Sequence, residues 1–214
     1  MTVTEEQLAR KHRSEGILQA EGVPFIAHLP VIERVDEATG PTAAEVAGRL
    51  QALAIVAVKA EGLEQEIVAE VVTGRGWQSL FSPLERVFID DPQPSEHDRI
   101  QFVWRYEAAW VLLWALHKTE GPLGLPREPC DVPFLSGTVR DDPDLAASGL
   151  RPRAELLDAA DLIFRCHWAT RQAQLTGQDA PAGLDPGVTM ERHHALNWLI
   201  GDGSEAWDDV STNT

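Results

Sequence analysis

Positive charge is what this chain is short of: 18 Lys and Arg stand against 34 Asp and Glu, a formal net charge of −16. A phosphate backbone or an anionic leaflet would be repelled over most of such a surface, which disfavours nucleic-acid and membrane partners. Cysteine is scarce too. Cys130 and Cys166 are the only two, without a Cys-x-x-Cys pair, so neither a disulfide framework nor a cysteine metal site is expected. The longest apolar run, Ala108 to Leu116, falls far short of the roughly 20 residues that a membrane helix needs. The opening residues are polar helix formers without the apolar core of a signal peptide, and a cytoplasmic protein is expected. Catalytic signatures are equally thin. There is no Gly-x-Ser-x-Gly elbow, and Gly74-Arg75-Gly76 is neither a phosphate loop nor a dinucleotide fingerprint. No cofactor is implied.

What is present is an ordinary globular balance, 43% apolar and 24% charged over 214 residues, enough to bury a sizeable core. Helical periodicity runs through most of it. Thr4 is a helix cap followed by Glu5 and Glu6, and that helix runs to Gly22. The two prolines in 23–32 mark an extended connector. Gly40-Pro41-Thr42 starts a second helix, with Val46, Leu50, Leu53, Ala54 and Ala57 at helical spacing before Gly62. A third carries Leu63, Ile67, Val68 and Val71 and stops at Gly74 to Gly76. Ser82-Pro83-Leu84-Glu85 is another helix start. Residues 97–118 are apolar around almost the whole helical circumference, as befits a helix in the middle of a protein. The Gly-, Pro- and Asp-rich stretch 121–152 reads as a long irregular connection. Helices over 153–177 and 188–200 follow, and Gly201-Asp202-Gly203-Ser204 breaks the chain before an acidic tail. The expectation is one all-α domain over 1–214, about six or seven helices around the buried helix 97–118, with 201–214 docked as a tail.

Polar chemistry gathers in three of these segments. Trp104, Glu107, Val111 and Trp114 share a helix face, which sets a carboxylate between two indoles and demands a cation from another element. Arg105 points elsewhere on the same helix. Asp161 and Arg165 are i, i+4 neighbours, as are His167 and Arg171. Glu191, His194 and Trp198 align on the last helix, while His193 and Asn197 form a further pair. Trp207 and Asp208 sit in the tail, where docking against the body with Asp208 on an arginine (Arg105, Arg165 or Arg192) would close the cluster. One reading is a Trp-walled pocket that binds a small anionic molecule or runs acid–base chemistry through Glu107, Asp161 and His167, His193 or His194. The other is a network of buried ion pairs that locks helix packing. Glu191-x-x-His194 has the spacing of helical carboxylate metal sites, to which Asp158, Asp161 and His167 would have to add ligands. No second such pair exists, so no metal is expected. Cys166 and His167, adjacent on a helix, point about 100° apart and are not a dyad.

Three blocks in combination carry a resemblance: Trp104 to Ala108 with Leu113 to Leu116; 158–171; and Glu191 to Leu199 with Trp207-Asp208-Asp209-Val210-Ser211-Thr212. They resemble a widespread bacterial family catalogued as a domain of unknown function, number four-two-seven-two. The family's end pattern has Asp where this chain has Asn213. The resemblance implies a soluble bacterial protein and transfers no activity. Three functional readings follow: binding of a small anionic ligand or a partner protein through the polar cluster, an acid–base enzyme, and an acidic inhibitor of a basic protein. Oligomeric state is not legible.

Overall fold

Local capping chemistry decides where most helices begin. Thr4 and Thr42 each form a reciprocal capping box, with Gln7 at the start of α1 (Glu5–Ala20) and with Glu45 at the start of α2 (Ala43–Glu61). Gly62 ends α2 at φ +118°, a value that only glycine adopts without strain. α3 (Gln65–Arg75) stops at Gly76, and α4 (Pro83–Asp90) opens on the Ser82–Glu85 box with Pro83 in its first turn. The far end of α4 is closed by the buried ammonium of Lys59 from α2, which donates to the carbonyls of Phe88, Ile89 and Asp91 at 2.8, 2.9 and 2.6 Å.

In this computed structural model, residues 3–32, 40–201, 203 and 205–214 are described; Asp202 and Ser204 of the break before the tail lie outside them. The described residues hold no strand. Beyond α4 come α5 (Glu96–Val103), α6 (Arg105–Ala115), α7 (Val132–Asp141), α8 (Arg153–Leu175) and α9 (Pro186–Ile200), with short 3-10 turns at Trp77–Ser79, Pro181–Gly183 and Trp207–Asp209. The fold is all-α and forms one domain. Among the described residues there are nine helical segments, eight if α5 and α6 are taken together, which exceeds the six or seven expected.

Two expectations need correction. The helix read over 97–118 is broken at Trp104, where the Glu107 N–H reaches back only three residues to the Trp104 carbonyl. The indole at the break is wedged against another helix. Trp104 packs so closely on Gly187, in the first turn of α9, that a Cβ at residue 187 would lie 2.8 Å from the ring. α6 is the buried half, with Val111, Leu112 and Leu113 inaccessible and Trp114 nearly so, whereas no residue of α5 is fully buried. The stretch 121–152 is not irregular throughout. Asp131 accepts from the Phe134 N–H and, with Pro133, starts α7 inside it.

The packing runs α1, α8, α9, α6, α2, each helix against the next, with α4, α5 and α7 applied to α2 and α6. α2 is therefore a second interior helix beside α6. Its alanines 52, 54, 57 and 60 are buried and keep its surface smooth enough for close approach. This arrangement lays the three polar segments, on α6, α8 and α9, against one another.

Candidate functional site

The charged side chains of those segments pair off two by two. Arg192 of α9 donates from Nε and Nη2 to Glu107 Oε2 on α6 at 3.0 and 2.9 Å. The other carboxylate oxygen accepts the Cys130 N–H at 2.6 Å, and Arg192 Nη2 also reaches the Glu128 carbonyl at 3.2 Å. One buried pair thus joins two helices and pins the loop before α7. Arg105 Nη1 contacts both oxygens of Glu191 at 3.1 and 2.9 Å. Burial raises the Glu191 carboxyl, Arg105 opposes that, and nearby Glu107 adds to it. Arg165 forms a two-bond fork with Asp161, 2.8 Å at each bond, and donates at 3.2 Å to the Pro30 carbonyl, which ties the N-terminal connector onto α8. Asp158, one turn earlier, is half-exposed and takes Arg10 and Arg13 of α1. Arg171 is exposed on α8, away from the pairs.

The histidines form a short relay rather than an open base. His167 Nδ1 and His193 Nδ1 lie 2.8 Å apart, and Asn197 Nδ2 is 3.1 Å from His193 Nε2. Because Asn197 Nδ2 also donates to the Ser211 carbonyl at 2.8 Å, it donates to His193 as well, which leaves His193 Nε2 bare and puts its proton on Nδ1. His193 then donates to His167. His194 turns the other way, its Nε2 donating to the Trp207 carbonyl at 3.0 Å, with its ring 4.6 Å from that indole. Glu191 and His194 accordingly face different partners despite their metal-like spacing. No group of three or more His, Cys, Asp or Glu among the described residues is placed to hold a metal ion. Burial pushes the Cys166 thiol up to about 12 and, with Glu107 nearby, raises Cys130 further, so neither is a ready nucleophile.

The imidazoles give a pH prediction. His167, His193 and His194 fall from 6.5 to about 4, 3 and 4, chiefly through burial; Arg171, the other two imidazoles and Arg105 respectively push the same way. Neutral rings are favoured by the fold, whereas the unfolded chain protonates below about pH 6.5. The stability that these rings contribute is therefore complete above pH 6.5 and lost as pH falls towards 4 and then 3. Calorimetry should find a melting temperature that drops steadily through this window, and His193→Gln should flatten the slope. An unchanged slope in that variant would refute the assignment.

Around the tail, sequence reasoning missed residues on α2 and α4. Trp207 is buried against His194, stacks edge-on with Trp198 at 5.5 Å, and lies under the guanidinium of Arg49 at 5.1 Å. Arg49 pairs with buried Glu85. Asp208 does not hydrogen-bond Arg105, Arg165 or Arg192; its Oδ2 accepts the Leu84 N–H at 3.0 Å in the first turn of α4, where a carboxylate completes the free N–H groups. The signal lay in Ser82 to Glu85, whose helix start advertises unpaired donors.

Two open spaces adjoin this framework. One, about 480 Å³, is a cleft between α8, Ile17 of α1 and the loop 121–126, walled by Trp114, Leu123, Leu162 and Ile163, with Arg151, Glu155 and Asp158 in its lining. Arg151 is fixed there, 4.9 Å over the Trp114 ring and bonded to the Trp114 and Thr119 carbonyls. The other, about 510 Å³, is a groove beside the tail. Glu107, Asp161, Arg165, His167, Glu191, Arg192 and His193 line neither.

No curated protein and no solved structure matches the chain. A family match does cover nearly all of it, over residues 10–210, and takes in every polar pair on α6, α8 and α9. The chain belongs to the family described as Domain of unknown function (DUF4272).

Proposed function

We propose that this is a small-molecule binding protein, that its ligand site is the cleft between α8 and the loop 121–126, and that the ion pairs of α6, α8 and α9 are the scaffold behind it. The observation that carries this reading is the contrast between the two regions. The cleft is open, predominantly apolar and aromatic-walled, and its volume of about 480 Å³ lies in the usual range of ligand pockets. The charged side chains, by contrast, meet each other, and a ligand would have to displace a partner to reach them. The ligand expected is therefore a molecule with an apolar body, not the small anion that the charges alone suggest. The acid–base alternative has less support, since Glu107 and Asp161 are held in buried ion pairs. His167 and His193 are buried and His194 is half-buried, each with at least one ring nitrogen engaged inside the protein. The acidic-inhibitor alternative rests on net charge.

A neutral solvatochromic dye such as N-phenyl-1-naphthylamine tests the proposal. Saturable uptake by the full chain is expected, with Trp114 emission quenched in parallel. Ala159→Trp fills the cleft from α8 and should weaken uptake at least about tenfold, a difference of about 1.4 kcal/mol, without lowering the melting temperature. Equal uptake by that variant would place the ligand elsewhere.

A further inference from the structure

Two residues that line the groove beside the tail carry buried hydrogen-bond donors without a partner. It runs between the first turns of α2, the segment 79–83 and the tail, and its walls include Gly48, Leu80, Phe81 and Trp198. Arg49 and Trp207 also line it, the first 8% and the second 5% exposed. Arg49 Nε and Trp207 Nε1 are both buried and both without an acceptor, although the guanidinium stacks over the indole and brings the two side chains into one wall. Glu85 Oε1, on the same ion pair as Arg49, is also without a partner, so Arg49 Nε has an acceptor close by within the protein, whereas Trp207 Nε1 has none. Buried donors are ordinarily paired, and this indole N–H is the one that calls for an acceptor from outside the chain.

The surrounding charge selects the kind of acceptor. Arg49 is already in contact with Glu85, Asp208 acts on it as well, and Glu45 and Glu205 line the same groove. A carboxylate entering here would meet Glu45 and Glu205 in the lining and a cation that Glu85 and Asp208 already oppose. A carbonyl or amide oxygen satisfies the indole N–H without adding charge. The remaining lining is apolar and aromatic. We propose that this groove is a second ligand site, for a small neutral molecule that presents a carbonyl-type oxygen to Trp207 and an apolar body to Leu80, Phe81 and Trp198. It shares no lining residue with the cleft behind the loop 121–126, so the two sites stand or fall separately.

The probe is N-benzylacetamide, read by the indole Nε1–H resonance of Trp207 in the nitrogen-15-labelled full chain and assigned by its loss in Trp207→Phe. A saturable downfield shift is expected with the amide. Toluene, which lacks the acceptor, and phenylacetate, which carries the charge, should each bind at least about tenfold more weakly. Ala44→Trp, at an exposed position of the groove, should abolish the titration while the melting temperature holds. A Trp207 resonance that the amide leaves unmoved overturns the site, as does an equal response to toluene or an unaltered titration in Ala44→Trp. Stronger binding of phenylacetate overturns the choice of a neutral ligand.

Discussion

Glu107→Ala should lower the melting temperature by about 10 °C. Removing one partner of a buried ion pair leaves the other charged and unpaired, at a cost of about 3–5 kcal/mol, and in a domain of this size each kcal/mol moves the midpoint by about 2–4 °C. Arg192 would be the stranded group, with Glu107 at 3% and Arg192 at 5% exposure. The Cys130 N–H would lose its acceptor in the same substitution, so the loop before α7 should loosen. Hydrogen exchange at Cys130 should accelerate together with the fall in midpoint. The double variant Glu107→Met with Arg192→Leu should recover part of the loss, because an apolar pair of similar volume replaces a buried salt bridge at little cost. Recovery stays partial because no side chain then accepts from Cys130. A midpoint unchanged by Glu107→Ala would mean that the pair contributes nothing to the fold.

Truncation after Ile200 should be comparably damaging. It deletes Trp207, whose indole fills the space between His194, Trp198 and Arg49, together with the buried Val210. Large-to-small changes at a buried tryptophan cost about 3–5 kcal/mol, and the tail's hydrogen bonds to His194, Asn197 and Leu84 go with it. Trp207→Ala alone should reproduce most of the effect. Asp208→Ala should cost only about 1 kcal/mol, the scale of a helix-cap contact. A truncated chain that melts like the full one would show that the tail adds nothing to stability.

The ion-pair framework was half legible. Burial beside two tryptophans required a cation for Glu107 from another element, and α9 supplies Arg192. That Arg105 would serve Glu191 instead had no trace in spacing, because the two meet only once α6 lies against α9. Arg49 escaped notice altogether, and Glu85 was read only as part of a helix start, so their pairing left no trace in the sequence. The cleft was invisible for a related reason. Leu162 and Ile163 read as core on α8, and whether an apolar side chain ends in a core or a cavity depends on how closely the neighbouring loop approaches.

The sequence by itself determined the all-α class and most helix starts. Thr4, Thr42 and Ser82 each act on backbone N–H groups three residues away, and no distant contact is needed for that. It likewise determined that the charges of α6, α8 and α9 had to find partners, since burial next to apolar side chains is a local consequence of helical periodicity. Only the tertiary structure decided which partners they took. The seat of the Trp104 ring depends on Gly187, 83 positions away in the chain; the fastening of the tail depends on α4; the cleft depends on the loop 121–126. These features arise from surfaces that meet after the helices have packed, and a pattern repeating every 3.6 residues carries no information about distance between helices.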